Sequence, residues 1–213
     1  MKVGIIGSGN VGQALGKGFV KLKYEVKIGS RNPNQDKIKE FIKNTGKLAS
    51  AGTFDQAASF GEIIVLATSW SGTENAIKLS NPKNLENKIV IDVTNPLDFS
   101  QGKPRLALGY DNSAGETIQK LLPKSKVVKA FNMVGNAHMV NPDFPNGPPD
   151  MFICGNDEKA KQKVTEILSK FGWSTIDIGN IENSRLLEPL AMLWITYGVK
   201  TNTWNHAFKL LKK

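Results

Sequence analysis

The chain has 213 residues, 40% of them hydrophobic, enough for one domain with a proper core and at most a short extension. Its formal charge of +9 suits an anionic ligand, but the lysines are scattered and the densest group, Lys209, Lys212 and Lys213, reads as a solvated tail, so no nucleic-acid partner is expected. A single cysteine, Cys154, excludes an intrachain disulfide and a Cys-based zinc cluster, no metal site is expected, and no apolar run approaches the roughly 20 residues of a bilayer span; a cytoplasmic protein without a membrane partner is expected.

Residues 3–6 form a short apolar strand, and Gly7, Gly9 and Gly12 follow it directly as G-x-G-x-x-G. Glycines interrupt this N-terminus too early for a signal peptide. A helix comes next, with Val11, Ala14, Leu15, Gly18 and Phe19 on one face, and then a second strand over 24–28. In that context the glycines read as a dinucleotide-binding turn. The first permits the tight turn, the second lets backbone approach a pyrophosphate, and the third lets helix and strand pack closely. The free N–H groups at the helix start then face the phosphates.

The end of the second strand selects the cofactor. Enzymes that use NAD place Asp or Glu there for the ribose 2′-hydroxyl. This chain has Ser30 and Arg31, with Asn32 and Lys37 close behind. A guanidinium fork and a hydroxyl suit a 2′-phosphate, which points to NADP(H) rather than NAD(H).

Further along, helices are expected over 36–44 and 53–60, with a strand over 47–50 between them. The run EIIVLAT at 62–68 is continuously apolar, as a parallel strand buried on both faces should be, and 88–93 repeats the pattern. Ser113 and Glu116 form a capping box before a helix that ends near Leu122. A strand over 126–130 precedes a proline-rich loop at 141–150, which is either a lid or a plain connector. Strand 151–154 holds Cys154 as a small core residue. Asn156 caps a helix buried through Val164, Ile167, Leu168 and Phe171 and stopped by Gly172. A last strand covers 174–178, and from Asn183 the chain is helical to near its end, with Gly198 as a possible break. Strands alternating with helices define an α/β fold, a Rossmann-like doubly wound, mostly parallel sheet with a C-terminal helical extension. The boundary is expected between a dinucleotide-binding domain at 1–182 and the extension at 183–213.

Ligands in such sheets bind outside the carboxyl ends of the strands. Ala67 and Thr68 close the fourth strand and lead to Ser69 and Trp70; Thr94, Asn95 and Pro96 follow the fifth; Asn132 and, in the next loop, His138 follow the sixth. Trp70 can wall a nicotinamide or belong to the core. Asn95 and Asn132 can hydrogen-bond a carboxamide or an acceptor, although turn chemistry also explains Asn95-Pro96. His138 is a candidate general acid, or an ordinary loop histidine. No Tyr-x-x-x-Lys pair is placed to protonate a carbonyl, and only about 30 residues remain after Gly179, too few for the helical domain of hydroxy-acid reductases. Hydride transfer between two rings needs positioning more than proton relay.

The segments GIIGSGNVGQAL at 4–15, IGSRNP at 28–33, VLATSW at 65–70, IDVTNP at 91–96, VVKAFN at 127–132, ICGND at 153–157 and DIGNIENSRLLEPL at 177–190 resemble the NADPH-dependent deazaflavin (coenzyme F420) oxidoreductases and the related cytosolic domain of the six-transmembrane metalloreductases. The resemblance implies NADP held by Ser8, Gly9, Asn10, Val11, Ser30 and Arg31. It also implies a deazaflavin or flavin (F420, FMN or FAD) as co-substrate, stacking near Trp70, Asn95, Asn132 and the start of the last helix. The chain departs from the pattern at 132–136, Asn-Met-Val-Gly-Asn, where archaeal deazaflavin users tend to carry a His-Thr-Ile-Pro-like segment. Asn183 and the neighbouring Arg185 and Glu188 are expected to be structural, the last two as an i,i+3 pair. Beyond them the helix is apolar nearly all round, which implies a homodimer. The alternatives to hydride transfer between rings are a carbonyl or imine reductase using His138, and a non-enzymatic NADPH sensor.

Overall fold

The computed structural model describes residues 1–213. Six strands form a parallel sheet in the spatial order β3-β2-β1-β4-β5-β8: β1 (Lys2–Ile6), β2 (Glu25–Gly29), β3 (Ala49–Gly52), β4 (Ile63–Leu66), β5 (Ile89–Asp92) and β8 (Lys126–Lys129). The order reverses between β1 and β4, which pair from Val3 with Ile63 to Ile6 with Leu66. That reversal opens a crevice at the carboxyl edge. Helices α1 (Asn10–Lys21), α2 (Asp36–Thr45), α3 (Phe54–Phe60), α4 (Trp70–Leu79) and α5 (Ala114–Leu121) cover the two faces. The strand side chains are buried almost throughout β1, β4 and β5, because helices shield both sides.

Two more strands, β9 (Asp150–Gly155) and β10 (Ser174–Asp177), extend the sheet beside β8 and run against the other six. The physical reason is the connection. A parallel neighbour needs a crossover, and 130–149 contains only a single 3-10 turn at Asn136–His138, so the chain returns antiparallel. Helix α6 (Glu158–Lys170) then crosses from β9 to the parallel β10.

Several details differ from the sequence reading. Helix α4 carries no clear apolar stripe, burying only Thr73, Ala76 and Ile77. A two-residue ribbon, β6 (Leu97–Asp98) with β7 (Arg105–Leu106), projects after β5. Asp157, not Asn156, caps α6 by accepting from Ala160 N at 2.8 Å, while Asn156 Oδ1 accepts from Ile181 N. Ser113 caps α5, but the Glu116 carboxylate turns to the Ser113 hydroxyl and Arg185 instead of closing the box.

The last helix, α7 (Ser184–Thr201), runs unbroken through Gly198 and stops at Asn202, whose φ of 51° is left-handed. Residues 203–213 are not helical but fold back along α7. The Trp204 ring lies 2.6 Å from where a Cβ on residue 198 would be, so a side chain there would displace it. Trp194 Nε1 donates to His206 O, and Leu210 N donates to Asp150 Oδ2. No helix is long and apolar enough to cross a membrane.

Candidate functional site

The glycine turn divides its work as the motif requires. Gly7 closes β1 with φ of 125°, and a Cβ there would meet Ala67 O at 2.2 Å. A Cβ on Gly12 would meet Gly7 O at 2.1 Å, so this glycine lets α1 lie against the turn. A Cβ on Gly9 would meet nothing within 4 Å. That open space lies at the start of α1, where a phosphate can approach backbone.

A groove of about 510 Å³ opens from this turn, bounded by Gly7, Ser8 and Gly9, by Ser30 and Arg31, and by Ala67 and Thr68. The N-termini of α1, α2 and α4 are all set around it, and none has a side-chain cap. Helices α3, α5 and α6 are capped by Thr53, Ser113 and Asp157, while α7, away from the groove, also lacks a side-chain cap. Uncapped first-turn N–H groups, with the positive dipole ends behind them, make the groove receptive to anions. Asn10, Val11 and Gly12 form the first turn of α1.

At the β2 end of the groove Ser30 is buried and its Oγ accepts from Asn32 N at 3.2 Å, leaving the hydroxyl hydrogen free to donate. Asn32 shapes the turn further by accepting from Asn34 N. Arg31 and Lys37 both reach the groove, neither is paired with a carboxylate, and no acidic residue lines it. Its opposite wall is the start of α4, with Ser69, Ser71 and Asn75. The sequence reading missed the last two because it missed α4. Trp70 opens α4 half-buried against the core and does not line the groove.

The carboxyl ends of β5 and β8 bring Thr94, Asn95 and Asn132 together. Asn95 Nδ2 donates to Asn132 O at 2.7 Å, and Asn132 Nδ2 donates to Asn95 Oδ1 at 3.0 Å and to Leu187 O of α7 at 2.9 Å. Beneath them lies a charge cluster that sequence reasoning did not find. The Lys129 ammonium contacts Asp92 Oδ2 at 2.8 Å and Glu188 Oε1 at 3.0 Å, and it donates to Thr94 O at 2.7 Å. All three ionisable side chains are buried. Burial alone would lower the Lys129 pKa, but the charges of Asp92 and Glu188 overcome it and hold the ammonium above the ordinary lysine range.

Glu188 therefore does not pair with Arg185. Its carboxylate also accepts from Ala114 N and Gly115 N at the start of α5. Arg185 makes a two-pronged contact with Glu116, at 2.9 and 2.7 Å, and a second ion pair with Glu182. Asn183 Nδ2 donates to Ile178 O. His138 stands apart from the groove, with Nε2 on Asn205 Oδ1 at 3.1 Å and its ring against Phe144. Cys154 is sealed in the core, and burial pushes its thiol up to about 11 against an opposing hydrogen bond with Ser184. A larger hollow, about 830 Å³, lies between 106–110 and the start of α7, away from the glycine turn.

This fold with this anion-receptive groove defines a dinucleotide-binding protein. The family model "NADP oxidoreductase coenzyme F420-dependent" matches residues 2–96. The F420-dependent NADP reductase of Methanocaldococcus jannaschii is 34% identical over 94% of this chain and 93% of its own length. A solved structure from Arthrobacter sp. FB24, described as a candidate F420-dependent NADP reductase, superposes with a TM-score of 0.94 at 32% identity over the whole of both chains. Metalloreductase STEAP3 of Rattus norvegicus is 31% identical over 90% of this chain, which spans only 37% of that protein. The chain belongs to the F420-dependent NADP oxidoreductase family, and it is an NADP-dependent oxidoreductase.

Proposed function

We propose that this enzyme transfers hydride between NADP(H) and the ring of deazaflavin coenzyme F420, as the names of its full-length relatives suggest. The observation that carries the reading is the groove itself. It has an open approach at Gly9, three helix starts without side-chain caps, and two cations unpaired with any carboxylate, with no acid lining it. Backbone at Ser8–Val11 and the α1 N-terminus hold the pyrophosphate, with Gly7 and Gly12 shaping the turn. Ser30, Arg31 and Lys37 hold the 2′-phosphate, and Asn32 keeps their turn in place. Ala67 and Thr68 line the path toward the second half of the sheet, where Thr94, Asn95 and Asn132 orient the nicotinamide end beside the acceptor. When bound, NADPH supplies the hydride from its C4 carbon. The protein's share is to set two rings at contact distance, while the ring nitrogen that gains charge on hydride addition takes its proton from solvent, so positioning matters more than a protein proton relay.

The same reading takes 1–182 as the cofactor domain and 183–213 as the extension that builds a cytoplasmic homodimer. Leu186, Leu193 and Tyr197 are 63%, 57% and 51% exposed along one side of α7, an apolar seam of the kind a second copy covers. Sedimentation of the purified protein tests the dimer. The reaction is tested by following loss of NADPH absorbance with F420, FMN, FAD and riboflavin in turn. Rapid oxidation with F420 is expected. Tight NADPH binding without turnover on any of them would favour the sensor.

A further inference from the structure

We infer that Glu188 is a positioning residue for the nicotinamide end of the site, acting through Lys129 and Asp92. The inference rests on the placement of the nicotinamide proposed above.

Three contacts of Asp92 and Lys129 converge on one residue, Thr94. Asp92 Oδ1 accepts from Thr94 N at 2.9 Å and Thr94 Oγ1 at 2.7 Å, while Lys129 donates to Thr94 O at 2.7 Å. Thr94 is thus held at its amide, hydroxyl and carbonyl together. Asn95 follows it and carries the two-way amide contact to Asn132. The Lys129 ammonium donates to Thr94 O and is enclosed by two carboxylate oxygens, Asp92 Oδ2 at 2.8 Å and Glu188 Oε1 at 3.0 Å, as ion-pair contacts. With no exposed surface, it holds the cluster together.

Glu188 joins this cluster to two helices. One of its oxygens accepts from Ala114 N at 3.0 Å, and the other, besides its contact with Lys129, accepts from Gly115 N at 3.1 Å. The helix start thereby offsets the excess negative charge of two carboxylates around one ammonium. The adjacent residue of α7, Leu187, accepts from Asn132 through its carbonyl. One turn of α7 therefore reaches the loop after β5 through Glu188 and Lys129, and grips the loop after β8 directly through Leu187. Apolar side chains would fill such a space at equal or lower free energy, but they tolerate sliding. A buried ammonium hydrogen-bonded to Thr94 O and enclosed by two carboxylates at 2.8 and 3.0 Å resists sliding, and the last helix is thereby registered to the strand ends that face the nicotinamide.

The test is Glu188→Leu, which keeps the volume and leaves a neutral Lys129–Asp92 pair, with Thr94→Val as a milder variant that removes only the hydroxyl contact. Two probes separate the halves of the cofactor: NADPH, and 2′,5′-ADP, which lacks the nicotinamide. In the unaltered protein NADPH should slow amide hydrogen exchange at 93–96 and 131–134 more than 2′,5′-ADP does. In Glu188→Leu that extra protection should disappear and the hydride-transfer rate to F420 should fall about tenfold, as for loss of a buried charged hydrogen bond. The 2′,5′-ADP affinity should stay within about twofold, because its site shares no partner with the cluster. Thr94→Val should shift both quantities the same way by less. If Glu188→Leu retains the NADPH-specific protection, or weakens 2′,5′-ADP in step with NADPH, the cluster is only a stabilising one and the inference fails. If the unaltered protein binds both probes but protects these segments equally, the placement of the nicotinamide is wrong instead, and the inference falls with it.

Discussion

Replacing Arg31 with Asp is the sharpest test of the cofactor assignment. Arg31 is exposed at the mouth of the groove and has no carboxylate partner to release, so its full charge is available to a ligand. A charge-assisted hydrogen bond contributes about 1.5–3 kcal/mol net, and the open groove favours the lower end. Arg31→Ala should therefore raise the Kd for NADPH about 10- to 30-fold, with Lys37 and Ser30 retaining part of the phosphate contact. Asp adds repulsion. At about 4 Å in water each unit-charge pair contributes about 1 kcal/mol, and a phosphate monoester carries about 1.5 to 2 charges. The Arg31→Asp change then totals about 3–4 kcal/mol, a loss of two to three decades. NADH has no 2′-phosphate, so its affinity should hold or improve, since the new carboxylate can accept from the ribose 2′-hydroxyl. Titration of NADPH, NADH and 2′,5′-ADP at low and high salt reads all of this, and the salt dependence of NADPH binding should shrink in the variant. Equal weakening of NADPH and NADH would refute the 2′-phosphate assignment.

Gly9→Ala and Gly12→Ala should part company. The first meets open space and should cost under about 1 kcal/mol in stability while strongly weakening NADPH, whereas the second forces a clash with Gly7 O and should cost about 1–3 kcal/mol or more by denaturant unfolding. Cys154 should resist alkylation at neutral pH in the native protein and react at once after unfolding, because burial both shields the thiol and pushes it up to about 11. The Arg185 hydrogen bonds hold the Glu116 carboxyl below the ordinary glutamate range, against the opposing effect of burial. A depressed native pKa means that this contribution is complete at neutral pH and is lost as pH falls through the unfolded and then the native value, so Glu116→Gln should flatten the acid limb of the stability curve. His138→Ala should leave NADPH oxidation unchanged within about twofold, since the imidazole rests on Asn205 and Phe144; a large loss would revive the carbonyl or imine reductase.

The half of the fold around the glycine turn was legible because its signals are contiguous. The apolar run at Ile63–Leu66 declares a strand buried on both faces. The exchange of an acid for Ser30 and Arg31 is a local change with a local electrostatic meaning. Where the signal is not local, the reading thinned. Helix α4 shows only Thr73, Ala76 and Ile77 to the core, too little for a periodic pattern, so the groove wall it supplies went unseen. The reversal of β9 has no mark in its own residues. It follows from the lack of a crossover helix after β8, which the proline-rich 141–150 loop already implied. The end of α7 at Thr201 has no strong local signal: no proline or glycine follows until the C-terminus, and the strap beyond it is set by long-range contacts such as Trp204 against Trp194.

The charge cluster was hidden for a different reason, and one that can be used. Asp92, Lys129 and Glu188 each stand inside an apolar run, IVIDV, VVKAF and LLEPLAMLW. Taken singly, each passes for a solvated strand end or for half of an i,i+3 pair. Burying any one of them alone is prohibitive, so charged residues embedded in apolar runs have to find one another or a helix terminus. Two acids and one lysine leave a single negative charge over, and the start of α5 supplies its counterpart through Ala114 and Gly115. Treating embedded charges as candidates for mutual pairing, before assigning local partners, is what would bring α7 to the ends of β5 and β8. The contact between Ala114 and Glu188 spans 74 positions in the chain, a long-range constraint of the kind that local periodicity cannot supply.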